Sequence, residues 1–391
     1  MVILVRREKS EMETLHYTDE HKKFRQKVKT FMENEIFPTV DMWEKNRIMP
    51  RNLWKRMGEE GFLCTNISSE YGGIDGDFLH SIIMIEEFSR ANHTEQGPSG
   101  HSDIVVPYID YFASDELKKK YLPGCVSGDI ITALAMTEPD AGSDVAGIKT
   151  SAVENGDETV INGTKIFISS GIHCDLVVLA AKDPLVENPY ESVSLYLVEA
   201  GTPGFDKGRK LEKMGMNSGD TAELFFSNCT IPISNRLGQK GKGFNMLMHN
   251  LQQERLVLTI NALCAAEYIL QNTFEHYKKN AASARSGSKS QIQQFALVEM
   301  ATEVKLGKTF LEKLIFDVME GNNVIIEISM AKYWIAEMVR RVADRCLELF
   351  DDLAMLKKCP VERSWRDIRV FSIIGGTNEI MKNIIAKYMK L

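Results

Sequence analysis

Three stretches of this 391-residue chain carry side chains suited to chemistry. The first, ALAMTEPDAGSDVAGIKT from Ala133 to Thr150, strings hydroxyls and small residues along a turn-rich segment, and small residues let backbone N–H groups approach an anionic ligand. The second, INGTKIFISSG from Ile161 to Gly171, sets a flat Phe167 beside the hydroxyl of Ser169. The third, LQQERL, places Glu254 just before the apolar run LVLTINAL. A carboxylate in an apolar, desolvated pocket has its pKa raised towards neutrality and can take a proton from a weak carbon acid. Each residue also has a plainer reading: a solvated helix glutamate paired with a neighbouring cation, a strand hydroxyl in a turn or ladder, a phenylalanine in the core.

Metal and disulfide chemistry find no support. The seven cysteines are odd in number, far apart and without a C-x-x-C pair, and His173 merely adjoins Cys174, so they read as reduced core thiols. A net charge of -7 with scattered basic residues leaves no footprint for nucleic acid. No apolar run approaches the roughly 20 residues that cross a bilayer. The charged start MVILVRREKSEMETLHY does not resemble a secretory leader, and a cytoplasmic location is expected.

The elements that must position these residues follow from periodicity. From about Tyr17 to Gly128 apolar residues recur at three and four spacing, as in HKKFRQKVKTFMENEIF and LHSIIMIEEFSRAN, predicting a helical domain over residues 1–130. Residues 131–242 turn to short β-branched runs separated by Gly, Asn, Asp and Pro, predicting a β domain of sandwich or barrel type. Over 243–391 the helical period returns in four segments, Phe244 to Tyr277, Ile292 to Glu320, Val324 to Phe350 and Val361 to Tyr388, predicting a four-helix bundle. The stretch AASARSGSKS, residues 281–290, links the first two. The fold class is α+β.

The first two motifs resemble the paired signatures of the acyl-CoA dehydrogenase family, and the resemblance covers most of the chain: MGEEGF, SSEYGG, SDELKKKYLP, RKLEKMGMNSGDTAELFF and IIGGTNEIMKNIIAK follow in order. It implies the helix, β domain, helix fold, FAD as cofactor, and α,β-desaturation of an acyl-CoA thioester. It also implies electron-transfer flavoprotein as acceptor and a tetramer. By the same resemblance Met136, Thr137, Ser143, Phe167, Ser169, Thr377 and Glu379 contact the flavin, Gln291 belongs to the cofactor site, and Ser143 and Arg255 meet the acyl-CoA. Asp140 departs from the glycine usual in its loop.

Much of the family carries its base just before the Gly-Thr of the C-terminal motif, where this chain has Gly375. The long-chain and isovaleryl branches carry it on the first bundle helix inside a sequence much like LQQERL, which Glu254 matches. The Gly375 N–H would still receive the thioester oxygen as negative charge develops. This placement accompanies long, branched or bulky acyl groups in relatives. His101 and Asp103, in GHSDIVVPYI, sit where the family lines the acyl tail; a polar acyl group or a helix histidine satisfied within the fold accounts for His101.

Two family motifs that hold a neighbouring subunit's FAD diphosphate are altered. In KKNAASARSGSKSQIQQF, Asn280 stands for the arginine and Ser283 and Ala284 for an aromatic-glycine pair, with Arg285 as a shifted substitute. In ELFDDLAM, Asp351 and Asp352 replace glycines, and carboxylates both repel a pyrophosphate and occupy its space. An intact ring side beside an altered diphosphate side fits a heterotetramer in which a paralogous subunit completes the FAD site. A homo-oligomer binding FAD differently, a cofactor-poor structural subunit, and an oxidase or nitroalkane-type relative are the other readings.

Overall fold

The computed structural model describes residues 15–91, 97–283 and 291–391. Helices α1 (Asp19–Phe31), α2 (Val40–Asn46), α3 (Asn52–Glu59), α4 (Phe78–Ser89), the single turn α5 (Gly97–Ser99), α6 (Val106–Phe112) and α7 (Asp115–Ser127) come first. Side-chain caps start several of them: Thr18 and Asp77 each form a capping box, with His21 and His80 respectively, and Ser114 accepts from the Leu117 N–H. Wider π-helical turns occupy Met32–Ile36 and Gly100–Val105, a feature that apolar spacing does not predict.

Strands β1 (Thr132–Ala135), β2 (Ser151–Asn155), β3 (Glu158–Ile168) and β4 (Leu176–Lys182) precede the turn α8 (Pro189–Ser192), and β5 (Val193–Glu199), β6 (Phe205–Lys210), β7 (Ala222–Pro232) and β8 (Arg236–Leu237) follow it. They form one sheet in the order β6-β7-β3-β2-β4-β5-β8, with β1 paired in parallel to β4. The period-two geometry of β4 and β5 explains how the layers join. Leu176, Val178, Ala180, Leu195 and Leu197 face the core of the N-terminal helices, whereas Val177, Leu179, Ala181, Tyr196 and Val198 face the β core. Both strands are buried on both sides, which is why they read as unbroken apolar runs.

The third layer contains α9 (Gly243–Ser283), α10 (Gln291–Met319) and α11 (Ile325–Glu348). The expected fourth long helix is corrected: Val361 to Tyr388 breaks into α12 (Glu362–Asp367), a 3-10 segment Ile368–Ser372, a turn, and α13 (Asn378–Tyr388). Gly375 and Gly376 have φ of 66° and 94°, a left-handed conformation that ends a helix, and Thr377 restarts one by accepting from the Ile380 N–H. Helix α4 straddles two cores, with Ile83 and Phe88 on the N-terminal side and Leu79 and Ile82 on the bundle side. All seven cysteines are buried thiols. Among the described residues no helix is long and apolar enough to cross a membrane.

Candidate active site

Glu254 lies on α9 in the bundle layer, 5% exposed, and its Oε1 accepts a 2.7 Å hydrogen bond from the Tyr108 hydroxyl of α6. Burial pushes its pKa up to about 7, against the opposing pull of the Tyr108 hydrogen bond and the Arg255 charge. The solvated, ion-paired reading of this glutamate is therefore excluded. Tyr108 is fully buried, and its role was not legible in the sequence, since 146 residues separate it from its partner.

The broken fourth helix supplies the other wall. Arg255 Nε donates to the Gly375 carbonyl at 3.1 Å, and Lys332 Nζ, from α11, donates to the Gly376 carbonyl at 2.5 Å. A Cβ added to Gly375 would stand 2.4 Å from Leu258 Cδ1, so a side chain there would aim at the face of α9 one turn beyond Glu254. Gly375 thus packs against α9 at Arg255 and Leu258, next to and one turn beyond Glu254. Arg255, expected to contact the substrate, is 4% exposed and uses its Nε on the Gly375 carbonyl.

A second group gathers on the sheet. The Met136 carbonyl accepts from Lys165 Nζ at 2.8 Å and the Thr137 carbonyl from the Ile166 N–H at 2.9 Å, which binds the loop after β1 to the end of β3. Glu138 locks the loop from the other side, accepting from Lys165 Nζ and from the Lys149 and Thr150 N–H groups. Asp140, unexplained by the sequence, pairs with Lys149 at 2.8 Å. The pairing of β3 with β7 shifts register between Lys165 and Ile168, and Phe167, inside that irregularity, has φ 60° and is 65% exposed. A bulge of this kind re-aims a side chain. Ser169 and Ser143 are also exposed. An exposed flat ring on a bulge, exposed hydroxyls at Ser143 and Ser169 and a tied-down loop are groups of the kind that a flat heteroaromatic ligand with hydrogen-bonding edges, such as a flavin, requires. Thr377 and Glu379 open α13 next to the glycine turn; Glu379 is exposed and its pKa is lowered by its own backbone N–H and by Thr377.

His101 fits the second of its two readings, a histidine satisfied within the fold. Its Nδ1 accepts from the Thr132 N–H and lies 2.8 Å from the Thr132 hydroxyl, its Nε2 donates to the Cys125 carbonyl, and burial pushes its pKa down to about 4. No ring nitrogen remains for a substrate. Asp103, two residues on, accepts from the Ser81 hydroxyl at 2.6 Å, and burial raises it to about 7.

The altered diphosphate motifs come together in space. Asn280, in the last turn of α9, lies 2.8 Å from His276 Nε2, and the His276 ring stacks on Phe350 at 4.2 Å. Asp351, with φ 49°, and Asp352 follow immediately and are exposed. Gln291 is the exposed first residue of α10, while Ala284 and Arg285 lie outside the described residues.

The chain matches three family models: "Acyl-CoA dehydrogenase, N-terminal domain" over residues 18–129, "Acyl-CoA dehydrogenase, middle domain" over 133–229 and "Acyl-CoA dehydrogenase, C-terminal domain" over 241–390. It is 39% identical to the long-chain specific acyl-CoA dehydrogenase, mitochondrial, of Rattus norvegicus, over 95% of this chain and 86% of the relative. A crystal structure of acyl-CoA dehydrogenase from Geobacillus kaustophilus superposes with a TM-score of 0.94 at 46% identity, covering 96% of this chain and 99% of that one. A chain in a structure described as electron transferring flavoprotein of Acidaminococcus fermentans superposes at 0.89 with 30% identity, covering 96% and 99%.

Proposed function

Since the chain belongs to the acyl-CoA dehydrogenase family of FAD-dependent oxidoreductases, we propose that it desaturates an acyl-CoA thioester with Glu254 as the base. One observation carries the assignment: Glu254 is a buried carboxyl poised near neutrality, on the α9 face towards which Gly375 would aim a side chain. A base works best when its pKa lies near the operating pH, because it is then largely ionised and still basic enough to pull a weakly acidic α proton. Tyr108 stabilises the carboxylate before the proton arrives and fixes which oxygen stays free to take it. The Gly375 N–H receives the thioester oxygen as charge moves onto it. FAD held in this site would supply the acceptor for the hydride leaving the β carbon. In this reading Met136, Thr137, Ser143, Phe167, Ser169, Thr377 and Glu379 hold the flavin edge and face, Ser143 also meets the CoA phosphates, and Gln291 serves the cofactor site. The chain divides between Ile130 and Ile131 and between Lys242 and Gly243.

The acyl group proposed is long, branched or bulky, because a base on α9 leaves the Gly375 side of the pocket without a carboxylate. The rat relative supports the long-chain choice. Electron-transfer flavoprotein is the proposed acceptor. A cytoplasmic setting belongs to the same proposal; the mitochondrial relative stands against it, and fractionation of the source cells decides. Rates for a series of acyl-CoA thioesters with an artificial electron acceptor test the whole. Turnover that increases from short to long or branched chains is expected, and no turnover with any thioester despite bound flavin would overturn it.

The cluster of Asn280, Asp351 and Asp352 favours an addition: a tetramer with a paralogous subunit, in which this chain offers the ring side of FAD and its partner the diphosphate side. The same surface favours a second reading, a cofactor-poor structural subunit, which the visible spectrum of the purified protein separates from the first.

A further inference from the structure

Two buried cations grip consecutive carbonyls of the glycine turn from different helices, Arg255 of α9 on Gly375 and Lys332 of α11 on Gly376. Lys332 is 2% exposed, and among the described residues neither cation has a carboxylate within ion-pair distance. Lys165, the other fully buried lysine, shows the ordinary arrangement, with Glu138 at 2.8 Å. A buried charge is costly unless paired or well hydrogen-bonded, and a neutral carbonyl compensates it less than a carboxylate does. Burial and the Arg255 charge accordingly push Lys332 down to about 8, with Glu379 opposing. Two cations therefore stand behind the turn with their direct contacts made to carbonyl oxygens, while Glu254 and Glu379 act on them only from beyond ion-pair distance.

A trans peptide points its N–H opposite to its C=O. Gripping the oxygens of two successive peptides fixes the direction of the N–H groups of Gly376 and Thr377 and, through the left-handed backbone of Gly375, the approach to its own N–H. Dipoles aimed in advance at developing charge need no reorganisation during reaction. We propose that Lys332 is a positioning residue for α-proton removal: with Arg255 it holds the 375–376 turn rigid and supplies positive charge that stabilises the enolate oxygen of the bound thioester. This rests on the reading of Glu254 as the base.

The test uses flavin-loaded protein and acetoacetyl-CoA, a thioester with an acidic α carbon whose enolate is read by its ultraviolet absorbance as a function of pH. Lys332→Met should raise the apparent pKa of the bound ligand by about one unit, a tenfold loss of enolate, with ligand affinity for the neutral form little changed. Lys332→Gln, which can still donate a hydrogen bond but has no charge, should follow Met, and Lys332→Arg should recover most of the difference. Flavin content and thermal midpoint show which variants are folded; should the Met variant fail, the Gln and Arg pair carries the same comparison. Unchanged ionisation in the neutral variants, or an Arg variant no better than they are, overturns the inference. Exchange of the α hydrogen for deuterium in Glu254→Gln separates this from the parent reading. Full exchange there removes the base, whereas lost exchange with unchanged ionisation in the Lys332 variants removes only the clamp.

Discussion

The two ends of α9 invite comparison. Glu254 and Asn280 are 26 residues apart on one helix, about 39 Å along its axis, yet their surroundings are opposite. At Glu254 the helix meets α6 through Tyr108, the carboxyl has one hydroxyl donor, and burial raises its proton affinity. At Asn280 the helix emerges at the surface beside His276, Phe350 and two aspartates. What a carboxylate does is decided by the dielectric around it: in the interior it becomes a base, and at the surface it is a charge that an incoming phosphate must meet. On the proposed reading, one end of the helix serves the chemistry on a substrate and the other is ill suited to hold a cofactor's diphosphate.

The largest effect should come from breaking the buried end. Glu254→Gln keeps shape and removes the proton acceptor, so flavin bleaching by substrate in a stopped-flow experiment should fall by about 10³-fold or more while flavin content stays. Near-normal bleaching in that variant, with a slow Glu138→Gln or Glu379→Gln, would move the base elsewhere.

Repairing the surface end should have the next largest effect. Purified alone, the chain should hold little flavin, and Asn280→Arg with Asp351→Gly and Asp352→Gly should tighten FAD by roughly tenfold or more, as removal of like charge and bulk predicts. Co-expressed with a related subunit that keeps the arginine and glycines, flavin should approach one per pair of chains by absorbance against protein mass. A homotetramer of the natural chain with full flavin would end the comparison.

The pH dependence of the buried end is a subtler matter. For the free enzyme, kcat/KM should rise with pH and level off above about 7, where Glu254 is ionised. Tyr108→Phe removes the bond that favours the carboxylate, so that inflection should move up by about one unit; no movement would show the hydroxyl irrelevant to the base. The sign for stability is opposite. A carboxyl whose folded pKa is raised contributes stability that is fully present below its unfolded pKa of about 4.5 and is lost as pH rises through about 7. That loss is on the order of 3 kcal/mol, and Glu254→Gln should flatten the fall in thermal midpoint across this window. An unchanged slope would show that Glu254 is not buried in solution.

Much of this was readable without coordinates because it is local. Helical and strand periods and motif spacing are short-range properties, and the runs that form β4 and β5 were legible as strands. Other features follow from packing between distant segments. The period over Val361 to Tyr388 looks continuous, but two left-handed glycines break it, because the turn is held by Arg255 and Lys332 from outside. His101 carries the same residue type whether it reads a substrate or ties Thr132 to Cys125, and only its neighbours distinguish the two.

The sequence by itself determined the family, the order of layers, the carboxylate at Glu254 and the glycine at Gly375, since these rest on residue identity along the chain. Tertiary structure alone decided that Glu254 is desolvated beside Tyr108, that Phe167 stands exposed on a bulge, and that Asn280 and Asp351, 71 residues apart, share one surface. The physical reason is that solvation and Coulomb interactions depend on distance in space, and the chain brings those distances into being only when it folds.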